Sequence, residues 1–174
     1  YKALPNTMKT QVVIIGGGGS GLAAAVAASQ AGADVIVLEK LGLLGGSTNV
    51  SEGALNAADP IRQPKLGIED SVAKHIDQTL KGGHNVGNPE LVKHLCEGAY
   101  PAVEWLESIG VKFKDEIGTA TGALWQRSHY PATPSGNTYI RTFEQVIAGT
   151  NGAIKVLLDT PVSSIMEKNG TVSG

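Results

Sequence analysis

The sequence predicts an α/β fold with a parallel central sheet. Gln11 to Ile15 is an unbroken apolar, β-branched run, typical of a parallel strand that is covered on both faces. Leu22 to Ala31 is an alanine-rich stretch of high helix propensity that ends at Gly32, and Asp34 to Glu39 is a second apolar run. Together they predict a βαβ unit, whose crossover we expect to be right-handed.

The later part of the chain predicts a helical excursion before the sheet resumes. A loop rich in Gly, Ser and Asn runs from Lys40 to about Pro64. We then predict a helix at 68–81, two short helices from Asn88 to Gly110 that are interrupted near Pro101, an irregular stretch at 112–137, a helix at 138–148 and strands at 154–158 and 162–166. Asn169-Gly170 is a hairpin turn signal, after which we expect the returning strand to be cut short.

Composition sets aside several classes of function. The net charge of −2, without a basic stripe, gives no electrostatic reason to expect nucleic acid. No apolar run is long enough to predict a membrane span. Cys96 is the only cysteine, which excludes an internal disulfide framework and a multi-cysteine metal site, and the histidines lack metal-ligand spacing. No metal site is predicted, and both the periplasm and the cytoplasm of a bacterium remain open.

The glycine-rich turn after the first strand carries the main chemical signal. In Gly16-x-Gly18-x-x-Gly21, the first glycine allows a sharp turn, the second lets backbone approach a pyrophosphate, and the third lets the helix pack against the strand. Amide groups of Gly19 and Ser20, at the start of the helix, then face the phosphates with the help of the helix dipole. This context predicts a Rossmann-like dinucleotide site.

The residues after the second strand indicate which dinucleotide binds. Glu39 stands at the end of that strand, where its carboxylate can accept hydrogen bonds from both hydroxyls of an adenosine ribose. A carboxylate there would repel a 2′-phosphate, so NADP is disfavoured. FAD and NAD both fit to this point, but the loop with Gly45, Gly46, Ser47 and Thr48 follows Glu39-Lys40 closely and could pass back along the pyrophosphate and ribityl chain. A simple NAD domain would usually continue to its next helix, so we predict FAD.

Several segments together resemble one group of flavoproteins. They are Val12 to Gly21, Val37 to Lys40, Gly45 to Thr48, Ser51 to Ala58, Thr79 to Gly83 and Gly122 to His129. The chain is thereby similar to the FAD-binding domain of soluble fumarate reductases, urocanate and methacrylate reductases and 3-ketosteroid dehydrogenases. The resemblance implies that residues 1–174 are the N-terminal portion of one FAD-binding domain, with no second domain, ending before a capping domain.

The resemblance also implies where FAD lies. Ser51, Gly53 and Ala54 belong to a segment that passes beside the isoalloxazine ring in the family, although Ala54 replaces one of the usual paired glycines. Val162 follows a strand end whose backbone meets adenine. Ser47 matches the position of the histidine that carries FAD covalently in membrane-linked relatives, and serine cannot form that linkage. We therefore expect FAD to be bound non-covalently.

Arg127 and His129 are the candidate catalytic residues, because arginine can bind a carboxylate and histidine can donate protons near neutral pH. A structural role in their loop is the competing interpretation. The resemblance assigns the remaining catalytic groups to later segments, so we expect this chain alone to be inactive.

Three interpretations of function remain. The favoured one is reduction of the C=C bond of an α,β-unsaturated carboxylate by hydride transfer from flavin N5, with electrons from a haem or flavin protein or domain. The second is a 3-ketosteroid Δ1-dehydrogenase-like enzyme that acts in the oxidative direction. The third is a non-catalytic FAD-binding or electron-transfer module.

Overall fold

The computed structural model describes residues 7–133 and 135–174, and the other residues of the predicted domain lie outside this description. The described residues divide into two compact units, called here the sheet unit (7–50 and 139–174) and the helical unit (51–138 without residue 134). The strands are β1 (Val12–Ile15), β2 (Val35–Leu38), β3 (Leu55–Asn56), β4 (Ser128–His129), β5 (Ile154–Leu157), β6 (Glu167–Lys168) and β7 (Thr171–Val172). The helices are α1 (Gly19–Gln30), α2 (Gly46–Asn49), α3 (Arg62–Lys65), α4 (Val72–Gly82), α5 (Pro89–Ser108) and α6 (Asn137–Ala148).

The sheet unit contains the predicted parallel sheet, in the strand order β1-β2-β5. Val12 pairs with Val35, and Val35 pairs in turn with Ile154. Helix α1 buries Leu22, Ala25 and Val26, which lie on one face at helical spacing. The predicted βαβ unit and the parallel sheet are therefore confirmed.

The expectation that β1 is covered on both faces is wrong for this chain, whereas the neighbouring strand β2 is mostly buried. Val13 and Ile15 are 52% and 55% exposed. Helix α1 packs on the face of β1 that carries the Ile14 side chain. A Cβ on Gly21, in α1, would lie 3.3 Å from Ile14 Cγ2. Successive side chains of a strand point to opposite faces, so Val13 and Ile15 point away from α1.

The end of the sheet unit differs from the prediction in register. Residues 162–166 form no strand, and the antiparallel pair is instead β6 with β7. The predicted turn is confirmed, since Asn169 and Gly170 have φ angles of 54° and 77°, the conformation that a two-residue hairpin turn requires. The turn therefore pairs the residues directly beside it, which are Glu167 and Lys168 with Val172 and Thr171. The more apolar stretch at 162–166 forms no strand.

In the helical unit, α4 packs against α5, and α5 packs against β3. Helix α5 is continuous through Pro101, so the prediction of two interrupted helices is wrong. Cys96, Ala99, Val103 and Leu106 are buried on both sides of the proline. Their packing keeps the helix continuous although proline removes one backbone hydrogen bond.

Other bounds of the helical unit also differ from the predictions. Helix α4 begins at Val72 and not at residue 68, because Ser71 caps it with a side chain that accepts a hydrogen bond from the Lys74 amide at 3.1 Å. The loop at 40–64 contains α2 and β3 and the start of α3, and the stretch at 112–137 contains β4. No helix in the described ranges has the length and apolar character needed to cross a membrane.

Candidate functional site

The turn between β1 and α1 has the geometry that its glycines predict. Gly16 has φ 102°, a conformation that side chains other than glycine rarely adopt. A Cβ on Gly21 would lie 2.0 Å from the carbonyl oxygen of Gly16. Only glycine therefore lets the helix approach the end of the strand this closely.

The start of α1 suits an anion. Gly18 is the N-cap residue and supplies no side-chain hydrogen bond, and the first turn contains no acidic residue. Amide groups at a helix N-terminus lack partners within the helix and carry the positive end of its dipole. The backbone amides at the start of α1, around Gly19 and Ser20, therefore have no carboxylate from the first turn of the helix as a competing acceptor.

Glu39 is held rigidly at the end of β2. Its Oε2 accepts a hydrogen bond from the Gly17 amide at 2.7 Å, and its Oε1 accepts one from the Leu41 amide at 2.8 Å. The bond from Gly17, followed by that from Leu41, lowers the pKa of this carboxyl, so the side chain is ionised at neutral pH although it is only 7% exposed. A carboxylate oxygen can accept a second hydrogen bond, and Glu39 can thus still accept ribose hydroxyls.

Gly17 is a position in the turn that the motif did not single out. The Gly17 amide orients Glu39. A Cβ on Gly17 would also lie 2.4 Å from Leu44 Cδ2. The motif treats this position as variable. The only signal in the sequence was the unbroken run of four glycines at 16–19.

The Gly45 to Thr48 loop returns to the glycine turn, as its position after Glu39 predicts. The Gly45 amide donates to the Gly17 carbonyl at 2.8 Å, and the Gly19 amide donates to Thr48 Oγ1 at 3.3 Å. Gly45 and Gly46 have φ angles of 113° and 50°. Ser47 lies in α2 and is exposed, as is Lys40 after β2. The two glycine-containing loops therefore form one contiguous surface of the sheet unit.

The segment after β5 runs beside the same residues. The Thr160 amide donates to the Glu39 carbonyl at 2.8 Å, and the Asp159 amide donates to the Leu41 carbonyl at 3.1 Å. Val162 follows two residues later and is half-buried. This strand end therefore lies next to the backbone of Glu39, the residue predicted to bind ribose.

Residues 11–174 match the protein family described as "FAD binding domain". The chain belongs to the FAD-binding domain family. The glycine turn, the fixed Glu39 carboxylate and the N-terminus of α1, which has no acidic residue in its first turn, fit the adenosine diphosphate part of this cofactor. FAD is thus the cofactor of the family, as predicted, and the predicted family is confirmed.

Known relatives are similar over most of this chain. An NADH:fumarate oxidoreductase of Klebsiella pneumoniae (strain 342) is 41% identical over 165 residues, which are 94% of this chain and 18% of that protein. A urocanate reductase of Eggerthella lenta is 47% identical over 110 residues, covering 60% of this chain and 18% of the relative. The open conformation of a flavocytochrome c3 fumarate reductase superposes with a TM-score of 0.85 at 33% identity, over 92% of this chain and 28% of that one. The chain therefore spans about a fifth of the length of these curated relatives.

The FAD-binding domain's other predicted flavin contacts lie in the helical unit. Gly53 has φ 83°, and a Cβ there would lie 2.8 Å from the Gly136 amide nitrogen. Ser51 is exposed, and its carbonyl accepts a hydrogen bond from the same amide at 2.9 Å. Ala54 lines a cavity of about 600 Å³. Glycine at position 53 is thus required by the close approach of the 135–136 backbone.

Arg127 is buried in the helical unit and paired with Asp70. Its Nε donates to Asp70 Oδ2 at 2.9 Å, and its Nη2 donates to Asp70 Oδ1 at 2.7 Å. Burial raises the pKa of the Asp70 carboxyl, but hydrogen bonds led by those from Arg127 outweigh it and the pKa is lowered. This bidentate pair supports the structural interpretation of Arg127.

His129 is fully buried and also faces a carboxylate. Its Nε2 lies 3.0 Å from Asp59 Oδ2, and its Nδ1 lies 3.2 Å and 3.3 Å from the carbonyl oxygens of Arg127 and Leu55. All of these neighbours are oxygen atoms that can accept hydrogen bonds, so each ring nitrogen lies where an N–H group could donate. The ring is held by protein groups, which favours a role in fixing β3 against β4.

The acidic partners of these residues were not identified from the sequence. Asp59 Oδ1 also accepts hydrogen bonds from the Ile61 and Arg62 amides at 2.7 Å. Gln63 Nε2 donates to Asp70 Oδ2 at 2.9 Å, and its Oε1 accepts from the Asp59 amide at 2.7 Å. An aspartate in a polar loop has no local signal of burial, so only the fold reveals this network.

Proposed function

We propose that the protein is an FAD-dependent oxidoreductase that reduces the C=C bond of an α,β-unsaturated carboxylate, and that this chain is the N-terminal portion of its FAD-binding domain. The observation that carries the cofactor assignment is the hydrogen bond from the Gly17 amide to Glu39. It fixes an ionised carboxylate beside the glycine turn, where an adenosine ribose would need it.

The residues divide the binding of the cofactor among them. Glu39 would accept the ribose hydroxyls, with Lys40 beside it, and the α1 amides would bind the pyrophosphate. The returning loop with Gly45 and Thr48 would cover the pyrophosphate and ribityl chain. The full set of proposed contacts is Gly16, Gly18, Gly19, Ser20, Gly21, Glu39, Lys40, Gly45, Gly46, Ser47, Thr48, Ser51, Gly53, Ala54 and Val162.

Bound FAD would supply hydride transfer from its N5 atom. The names of similar proteins support the substrate class, because fumarate and urocanate are both unsaturated carboxylates. One similar structure is a flavocytochrome, which supports a haem or flavin group as the electron donor. Since Ser47 cannot form the imidazole linkage, we propose that FAD is held non-covalently.

The experiment is a comparison of acceptors with the full-length protein. Purified protein should be yellow, and reduced viologen should be oxidised on addition of fumarate, urocanate, methacrylate or cinnamate. A protein that purifies colourless and does not take up added FAD would contradict the cofactor assignment. A yellow protein that reduces none of the four acids would leave the cofactor assignment standing and overturn the substrate class.

A further inference from the structure

The helical unit contains a cavity that the proposed function does not use. It measures about 320 Å³ and lies between α4 and the loop at 122–127. Its polar lining comprises Asn56, His75, Gln78, Thr79 and Arg127. Small-molecule sites begin at about this volume, whereas one water occupies about 30 Å³ of liquid.

Two buried polar atoms in this cavity have no partner. Nδ1 of His75 and Oε1 of Gln78 make no hydrogen bond to any described residue, and His75 is only 5% exposed. Their positions differ by three, so both lie on the same face of α4. A buried polar atom without a partner costs about 1–3 kcal/mol. A ligand that supplies partners would remove this cost.

Arg127 is paired with Asp70, but one edge of its guanidinium still offers donors to an anion. Among the described residues that line the cavity, Arg127 alone is charged. Its bonds to Asp70 use Nε and Nη2, which leaves the Nη1 hydrogens unused by that carboxylate. Burial, followed by the charge of Arg127, lowers the pKa of His75, so its ring is neutral at neutral pH and can either donate or accept.

The rest of the lining is apolar. Ala123, Leu124 and Trp125 form this part of the wall. The indole Nε1 of Trp125 donates to the Glu69 carbonyl at 3.1 Å and does not serve the cavity. The cavity thus combines one cationic group, two unpartnered polar atoms and an apolar wall, which is the usual composition of a small-molecule site.

We propose that this cavity binds a small hydroxycarboxylate. Its carboxylate accepts hydrogen bonds from Nη1 of Arg127, its hydroxyl donates to Oε1 of Gln78, and its carbon body packs against Leu124 and Trp125. His75 Nδ1 gives a further polar contact. None of the proposed FAD contacts lines this cavity, although its residues Asn56, His75 and Thr79 also line the cavity beside Ala54.

The test uses the full-length protein and three probes of similar size. Lactate has both the carboxylate and the hydroxyl, propionate lacks the hydroxyl, and lactamide lacks the charge. NMR titration should show saturable shifts of the Trp125 indole N–H with lactate, and binding about tenfold weaker with propionate and with lactamide, the loss expected for one hydrogen bond. A Trp125→Phe variant assigns the signal.

Substitutions of Gln78 test its proposed hydrogen bond with the ligand hydroxyl. Gln78→Leu should weaken lactate about tenfold and leave propionate unchanged, because only lactate has the hydroxyl. Gln145→Leu removes an exposed glutamine from α6 and should change neither. If Gln78→Leu does not fold, Gln78→Ala removes the same oxygen. Absence of saturable shifts with lactate, equal binding of lactamide, or equal loss of lactate and propionate in the variant overturns the proposal.

Discussion

Oε2 of Glu39 lies 2.7 Å from the amide nitrogen of Gly17, across a sequence separation of 22 residues. This bond joins the end of β2 to the turn between β1 and α1. It orients the carboxylate and, together with the bond from Leu41, keeps the carboxylate ionised. The position of one proposed ribose contact is therefore set by the backbone of the proposed phosphate-binding turn.

Glu39→Gln should weaken FAD binding in the full-length protein. An amide nitrogen cannot accept the bond from Gly17 or Leu41, and the charge that strengthens both bonds is lost. Affinity should fall by about 10- to 100-fold, which corresponds to one hydrogen bond with a charged group. Flavin fluorescence titration measures it. Glu144→Gln, at an exposed position of α6, is the matched control; equal affinity of both variants would show that Glu39 does not contact FAD.

Gly21→Ala should displace α1 from the strand. The new Cβ would lie 2.0 Å from the Gly16 carbonyl oxygen, and backbone cannot rotate away as a side chain can. We expect a loss of about 1–3 kcal/mol in the free energy of unfolding and the loss of bound flavin. Gly98→Ala is the control, since a Cβ on this exposed glycine of α5 meets nothing within 4 Å. It should stabilise the protein by about 0.5–1 kcal/mol. Urea unfolding of both variants distinguishes these outcomes.

The sequence predicted the features that depend on residues close to one another along the chain. The first strand, its glycine turn, the helix and Glu39 lie within one βαβ unit, where periodicity and glycine spacing determine the structure. The turn at Asn169-Gly170 was predicted for the same reason. In each case the local preference and the tertiary structure agree.

The sequence did not predict the features that depend on distant partners. Asp70 meets Arg127 across 57 residues, and Asp59 meets His129 across 70. Pro101 locally favours a break, but packing on both sides of it maintains α5. The uncovered face of β1 likewise depends on where α1 packs, which an apolar run does not reveal.

FAD should be released from the protein by acid. Ser47 has no ring nitrogen to form a covalent bond to the flavin, and it lies exposed in α2. After precipitation of the full-length protein with trichloroacetic acid, the yellow colour should remain in the supernatant. Ser47→Ala should give the same partition as the unaltered protein. Flavin that stays in the pellet would show a covalent link and contradict the prediction.

Arg127→Met should destabilise the helical unit by about 3–5 kcal/mol, because it leaves the fully buried Asp70 carboxylate without its partner. Arg127→Met combined with Asp70→Leu should recover much of this loss. Lys81→Met is the control, since its pair with Asp77 is exposed, and it should cost less than about 1 kcal/mol. Turnover by the full-length protein that carries both Arg127→Met and Asp70→Leu, once it is shown to be folded, decides the role of Arg127. Retained turnover supports the structural role, and lost turnover with normal stability would assign Arg127 to the substrate.

Acid should destabilise the helical unit through Asp59. Burial raises the pKa of this carboxyl, but hydrogen bonds led by that with His129 outweigh it, and the pKa falls below its ordinary value of 3.8. A carboxyl whose pKa is lower in the folded protein contributes stability above the unfolded pKa and loses it as the pH falls through the folded pKa. The free energy of unfolding should therefore decrease below about pH 4.

Asp59→Asn tests this assignment. The variant should be less stable than the unaltered protein at pH 7, because the amide cannot replace the charge opposite His129 and Arg62. It has no proton to gain at position 59, so its stability should fall less between pH 5 and pH 3, a range set at about one unit on either side of an ordinary aspartate pKa. Urea unfolding at each pH measures both curves. Asp77→Asn, at an exposed aspartate of α4, should keep the slope of the unaltered protein. Parallel curves for Asp59→Asn and the unaltered protein would show that another group accounts for the acid sensitivity.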